Sequence, residues 1–214
     1  MGKTFVSALL VKKLRENKIN AGYYKPALSG AYIRNGKLIP GDCEYVCNIA
    51  GIKNNPDNFV SYVFEPSVSP HLAAELEKKQ IEKQVILNDF TKIKEQFEYI
   101  IVEGCGGIIC PLRLDTEHIM LIDIIKMLEL EIIIVASAEL GTINSTVLTV
   151  KYAKKLGIGI RGIILNCYEK DNLLHHDNKK QIELLSNVSV IACVPKNACD
   201  LYMDLSLIFS KATL

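Results

Sequence analysis

Charge of one sign is what this chain most plainly lacks. Its 25 Lys and Arg against 24 Asp and Glu leave a net charge of +1, with a pI near 7.5. No global field is expected to draw nucleic acid or an anionic lipid surface to it. A run of about 18 apolar residues, the length a membrane helix needs, is also missing, as is a charged-then-apolar signal pattern at the start. Seven cysteines stand at 43, 47, 105, 110, 167, 193 and 199, but no two form a C-x-x-C pair. An odd, scattered set argues against a disulfide framework and for reduced thiols in a cytoplasmic protein. No repeat, low-complexity tract or Gly/Ser linker divides the chain. What remains is an ordinary globular composition, 49% hydrophobic and 23% charged over 214 residues. The expectation is one domain over 1–214 that needs no covalent staples.

Short β-branched runs alternate with helical segments. Residues 98–103, 131–137, 159–166 and 188–194 are continuous apolar runs. Strands buried on both faces read this way, and such strands belong to parallel sheets. Residues 20–25 offer a shorter strand. Between these runs lie segments with a helical period. Val6, Leu9, Leu10 and Leu14 share one face of a first helix, and 117–129 space Met120, Ile124 and Leu128 four apart. Residues 143–156 end in Lys154-Lys155 before Gly157, a helix C-terminus. Ser69-Pro70 reads as an N-cap followed by proline in the first turn. The alternation predicts an α/β, doubly wound, mostly parallel sheet with helices on both faces. In such sheets ligands sit outside the carboxyl ends of the strands, so the residues just after each run are those to read for chemistry.

Four places stand out. Gly2-Lys3-Thr4 opens the first helix. It reads either as the second half of a phosphate-binding loop, with lysine on the phosphates and threonine on Mg²⁺, or as a plain helix start. Lys25, before Pro26, ends the first strand and either points a cation into the crevice or lies on the surface. Asp42 follows Gly41 at a helix start, as a metal ligand or an N-cap. Glu103-Gly104-Cys105-Gly106-Gly107 follows a buried strand. It reads as a Mg²⁺-holding carboxylate beside amides open to a ligand, or as a tight turn with an exposed glutamate. Cys43 and Cys47, one turn apart, have no partner pair at zinc spacing and read as buried thiols. His175-His176 reads as a solvated polar loop, and Cys105 has no His and Asp arranged with it for nucleophilic work.

Taken together, these blocks resemble one family. Gly2-Lys3-Thr4, Tyr24-Lys25-Pro26-x-x-Ser29-Gly30, Asp42, Glu65-Pro66-x-x-Ser69-Pro70-His71, Glu103-Gly104-x-Gly106-Gly107-x-x-x-Pro111-Leu112 and Gly141-Thr142-Ile143-Asn144 are similar in order and spacing to dethiobiotin synthetase. The family begins with a strand and a Gly-Thr-x-Thr-x-Val-Gly-Lys-Thr loop, and Met1 stands where that valine would be. The expectation is a start written too late, at a valine codon, and weaker ATP binding by the chain as written than by an extended form.

The resemblance implies a P-loop fold and ATP-dependent closure of a ureido ring. An amine of diaminopelargonic acid captures CO₂ as a carbamate, the carbamate attacks the γ-phosphate, and the second amine displaces phosphate. It implies that Lys25 is the catalytic cation, with Lys3 bracing the phosphates. Gly2, Lys3, Thr4, Gly104 and Gly106 fall to nucleotide binding, and Thr4, Asp42 and Glu103 to Mg²⁺. Ser29, Pro111 and Leu112 are implied to line the diamine site. Gly141 and Asn144 would meet the substrate's carboxylate end across a homodimer interface. Asn166 would read adenine, with Pro195, Lys196 and Asn197 closing over the base. Two alternatives stay open: a related P-loop amidoligase of the cobyrinic acid a,c-diamide synthase kind, and a non-catalytic dimeric paralogue.

Overall fold

The computed structural model describes residues 1–209, so the last five residues of the expected 1–214 domain lie outside the described ones. In chain order the elements are α1 (Lys3–Glu16), β1 (Ala21–Ser29), β2 (Tyr32–Arg34), β3 (Lys37–Ile39) and α2 (Gly41–Ala50). After a 3-10 turn, Pro56–Phe59, come β4 (Val60–Phe64), α3 (Pro70–Leu76), α4 (Lys83–Lys94), β5 (Tyr99–Val102), β6 (Pro111–Leu114), β7 (His118–Met120) and α5 (Leu121–Met127). The last are β8 (Ile132–Ser137), α6 (Thr142–Lys155), β9 (Ile160–Asn166), α7 (Leu173–Ser186), β10 (Val190–Val194) and α8 (Ser206–Phe209). No helix among the described residues is long and apolar enough to cross a membrane.

Two compact units emerge, one spanning Ser7–Leu128 and the other Met1–Val6 with the chain from Glu129 onward. Each carries a three-stranded parallel sheet. In the first unit the order is β4-β1-β5. β1 is buried along all but its last residue, as expected of a central strand with both faces covered. The sequence places a rigid turn at Pro26; the strand instead runs through it. Tyr24 accepts the amide of Glu103 on the β5 side, and the β1–β5 pairing ends at Tyr24. Pro26, two residues on, turns its missing N–H to that same side, where no ladder bond is due. α2, α3 and α4 pack against β1.

The second unit orders its strands β10-β9-β8, all parallel. Its core joins Ile134 and Ala136 of β8, Ile163 and Leu165 of β9, Val150 of α6 and Ile182 of α7. Ser137, Asn166 and Val194 pair at the carboxyl ends of the three strands, which brings Asn166 to the edge where the fold class places ligands.

Three local readings are corrected. Residues 118–120 form a strand paired antiparallel to β6, and the helix expected over 117–129 begins only at Leu121. Asp42 is not an N-cap; Pro40 holds that place, and Asp42 lies in the first turn. His175 and His176 lie on α7 rather than in a solvated loop, because Asn172 caps that helix through the amides of Leu174 and His175. His175 is buried, its Nδ1 accepting the Glu169 amide at 2.9 Å. Ser69 and Pro70 open α3 as expected.

Candidate active site

In the first unit, strand register builds the site. Tyr24 pairs with Val102, so Lys25 and Glu103 are the next residues along two neighbouring parallel strands. Both are almost fully buried, at 6% and 3% exposure. The Lys25 ammonium donates to Glu103 Oε1 at 2.8 Å and to Asp42 Oδ2. Asp42 reaches it from the first turn of α2 and keeps a more open carboxylate. Burial pulls the Lys25 ammonium down, but the charges of Glu103 and Asp42 outweigh it and hold the group above its ordinary value. The result is a permanently charged lysine held by two carboxylates, with one negative charge in excess.

Sequence reasoning missed one member of this cluster. Tyr23, with no exposed surface, donates its phenol hydrogen to Glu103 Oε2 at 2.8 Å. Burial first and the Glu103 carboxylate second hold the phenol well above its ordinary range, so it keeps that hydrogen. The sequence offered spacing alone. Tyr23 and Lys25 are two apart on one strand and so share a face.

After Glu103 the chain turns through glycines that cannot be exchanged freely. A side chain on Gly104 would lie 2.9 Å from Leu121, and Gly106 has φ +82° with Cys110 Sγ 3.1 Å from where a Cβ would stand. Ser29 ends β1, half-buried. Pro111 and Leu112 open β6. Leu112 is wholly buried, so its side chain belongs to the core, while Pro111 is half-buried. Cys105 and Cys43 are buried free thiols. Burial pushes the Cys105 thiol up to about 11.

The second unit gathers the remaining candidates. Gly2 (φ +79°), Lys3 and Thr4 stand at the N-terminus of α1. A Cβ on Gly2 would lie 2.4 Å from Asn166 Nδ2. That nitrogen donates to the Met1 carbonyl at 3.0 Å, while Asn166 Oδ1 is buried without a hydrogen-bond partner. A cavity of about 780 Å³ is lined by Tyr168, Glu169, Lys170, Asn172, Pro195 and Lys196. Asn197 follows, exposed, with φ +60°. Gly141 and the exposed Asn144 stand at the start of α6, Gly141 beside a second cavity of about 260 Å³ that also touches Met1 and Ser137. Among the described residues, no group of three or more His, Cys, Asp or Glu is placed to hold a metal.

Comparison with known proteins decides the family. A family model described as an AAA domain matches residues 1–199. A protein of Clostridium botulinum strain Alaska E43, named ATP-dependent dethiobiotin synthetase BioD, is 52% identical over 193 residues, which are 90% of this chain and 85% of that one. One of Clostridium perfringens with the same name is 48% identical over 196 residues, 92% and 86% of the two chains. The chain belongs to the dethiobiotin synthetase family. Among solved structures, the MinC:MinD cell division protein complex of Aquifex aeolicus is similar at TM-score 0.55 and 15% identity, over 92% of this chain and 77% of that one. A ParA family ATPase from Chlorobium tepidum gives 0.52 at 15%, over 92% and 78%. At such identities these likenesses show the α/β fold alone, the class expected from the alternating runs.

Proposed function

We propose that this chain closes a ureido ring on 7,8-diaminopelargonic acid, using CO₂ and ATP, the reaction that its resemblance to the family implies; its relatives are named ATP-dependent dethiobiotin synthetases. The observation that carries the reading is the buried Lys25 ammonium between Asp42 and Glu103 at the carboxyl end of β1. A carbamate is an anion, and its attack on a γ-phosphate builds negative charge that a fixed cation stabilises. Lys25 is that cation. Its two carboxylate partners keep it charged and aimed, so little reorganisation is left for the reacting step. Ser29 and Pro111 are the residues we place beside the diamine; the wholly buried Leu112 keeps only its backbone for that role.

Asp42 and Glu103 fit Mg²⁺ by the chemistry of their donors. They are hard oxygens in a site with excess negative charge, and two carboxylates suit an ion that keeps most of its waters and takes the rest of its shell from phosphates. Mg²⁺ supplies neutralisation of phosphate charge when bound. We assign Lys3, Gly2 and Thr4, at the start of α1, to phosphate, and Gly104 and Gly106 to close backbone approach. The unpartnered Oδ1 of Asn166 suits the exocyclic amino group of adenine, with Pro195 and Lys196, which line the 780 Å³ cavity, and the neighbouring Asn197 closing over the base. Gly141 and Asn144 we assign to the substrate's carboxylate end in a homodimer. The seven free thiols favour a cytoplasmic setting.

The test is phosphate release with ATP, Mg²⁺, bicarbonate and the diamine, with the ring product followed by mass. Phosphate release that depends on the diamine and matches ring formation supports the reading. Release that ignores the diamine, or none, overturns it.

A further inference from the structure

We propose that Tyr23 is a positioning residue for this site: its phenol fixes the orientation of Glu103 and thereby sets how tightly the site takes a divalent cation. The proposal rests on the reading of Glu103 as a metal-holding carboxylate. It assigns a role to a residue that the family's Lys-Pro-x-x-Ser-Gly and Glu-Gly-x-Gly-Gly blocks leave out.

The geometry is specific. Tyr23 pairs with Ile101 and Tyr24 with Val102. Glu103, two residues past Ile101, projects to the same side as Ile101, and Tyr23 and Lys25 share the matching face of β1. One carboxylate is therefore reached by two neighbours on one strand face, each taking a different oxygen. Lys25 holds Oε1 and Tyr23 holds Oε2, both at 2.8 Å. Two donors on two oxygens fix the rotation of the carboxylate plane, which one donor cannot do. Without the phenol, Oε2 loses the donor that holds it away from the Lys25 ammonium, and the carboxylate is freer to turn both oxygens to that cation. That arrangement strengthens the ion pair at the expense of a metal.

Tyr24 supplies the control. It faces away, and its phenol meets Ser61 Oγ and the Ile86 carbonyl. Tyr24→Phe thus removes a buried phenol from the same strand without touching Glu103. Mn²⁺ binding in the presence of ATP, followed by electron paramagnetic resonance, is compared for the unaltered chain, Tyr23→Phe, Tyr24→Phe and Glu103→Gln, with melting temperatures alongside. The expected result is a metal affinity about ten- to hundredfold weaker in Tyr23→Phe and unchanged in Tyr24→Phe, with Glu103→Gln weakened at least as much. A shift in Glu103→Gln but none in Tyr23→Phe overturns the proposal and leaves the Glu103 reading standing. Equal shifts in both tyrosine variants overturn it too, because the effect is then one of general packing. No shift in any variant, or no binding by the unaltered chain, overturns the Glu103 reading and the proposal with it. A Tyr23→Phe chain that does not fold also overturns it, since a positioning group is dispensable for folding.

Discussion

Lys25 serves two ends that substitution can separate. It balances the buried Glu103 carboxylate, and it is the cation we assign to the reaction. Removing one partner of a buried pair costs about 3–5 kcal/mol, whereas replacing both with uncharged groups of similar volume is often neutral. Lys25→Met is therefore expected to lower stability by that amount in urea unfolding, and adding Glu103→Gln is expected to recover most of it. Diamine-dependent phosphate release should stay down by about 10²- to 10³-fold or more in both. A double variant that regained activity would remove Lys25 from the chemistry. The thiols give a second prediction at this scale. With Cys105 pushed up to about 11, only about one molecule in a thousand carries its thiolate at pH 8. Iodoacetamide should label the exposed Cys199 well before Cys105, as peptide mapping would read. Lys25 and Glu103 were legible as candidates because each ends a strand run, and Asp42 because it opens a helical stretch. Tyr23 was not, because aromatic residues in a strand read as packing until a register shows what the hydroxyl meets.

At the scale of elements, the cap of α7 is the cheapest part to test. Asn172 accepts the amides of Leu174 and His175 at 3.0 and 3.4 Å. Asn172→Ala should cost about 1 kcal/mol, a fall in melting temperature of roughly 2–4 °C. Asn172→Ser keeps a capping acceptor and loses only the Nδ2 bond to Glu169, so it should melt between Asn172→Ala and the unaltered chain. An equal loss in both would mean that the cap contributes nothing. Legibility also differed by element. The strands β5, β8, β9 and β10 showed as continuous apolar runs because parallel strands are covered on both faces. β4 mixes Ser61 and Tyr62 with apolar residues and is half-buried, and β2 is exposed throughout, so neither carries a run to read. The end of β1 was hidden by Pro26, whose tolerance depends on which side of the strand still has a neighbour.

For the molecule as a whole, the two three-stranded sheets predict a pattern of protection. β1 and β9 are the central strands, bonded on both sides. Their amides should exchange slowest, at rates set by global unfolding, while the outward amides of β5 and β8 exchange through smaller openings. Hydrogen exchange read by mass spectrometry would show this as two slow segments near residues 21–29 and 160–166. Uniform protection across all six strands would contradict it. The class of fold was legible because strand and helix alternate through most of the chain. The division into two sheets was not, since hydrogen-bond partners are chosen in space rather than along the sequence.

The edge strands carry a consequence for handling. β5 (Tyr-Ile-Ile-Val) and β8 (Ile-Ile-Ile-Val-Ala-Ser) are half-exposed in part and hold no lysine or internal proline, the residues that usually blunt an edge. What guards them is exposed carboxylate at their ends: Glu98 before β5 and Glu139 after β8, since Glu103 is buried and Glu131 is paired with Arg161. Like charges brought together when two such edges approach repel at a range set by the Debye length, about 10 Å at 0.1 M salt and about 3 Å at 1 M. Colloidal stability should therefore fall as salt is added, the reverse of salting-in. Light scattering at fixed protein concentration, rising steadily from dilute buffer to molar salt, is the expected record.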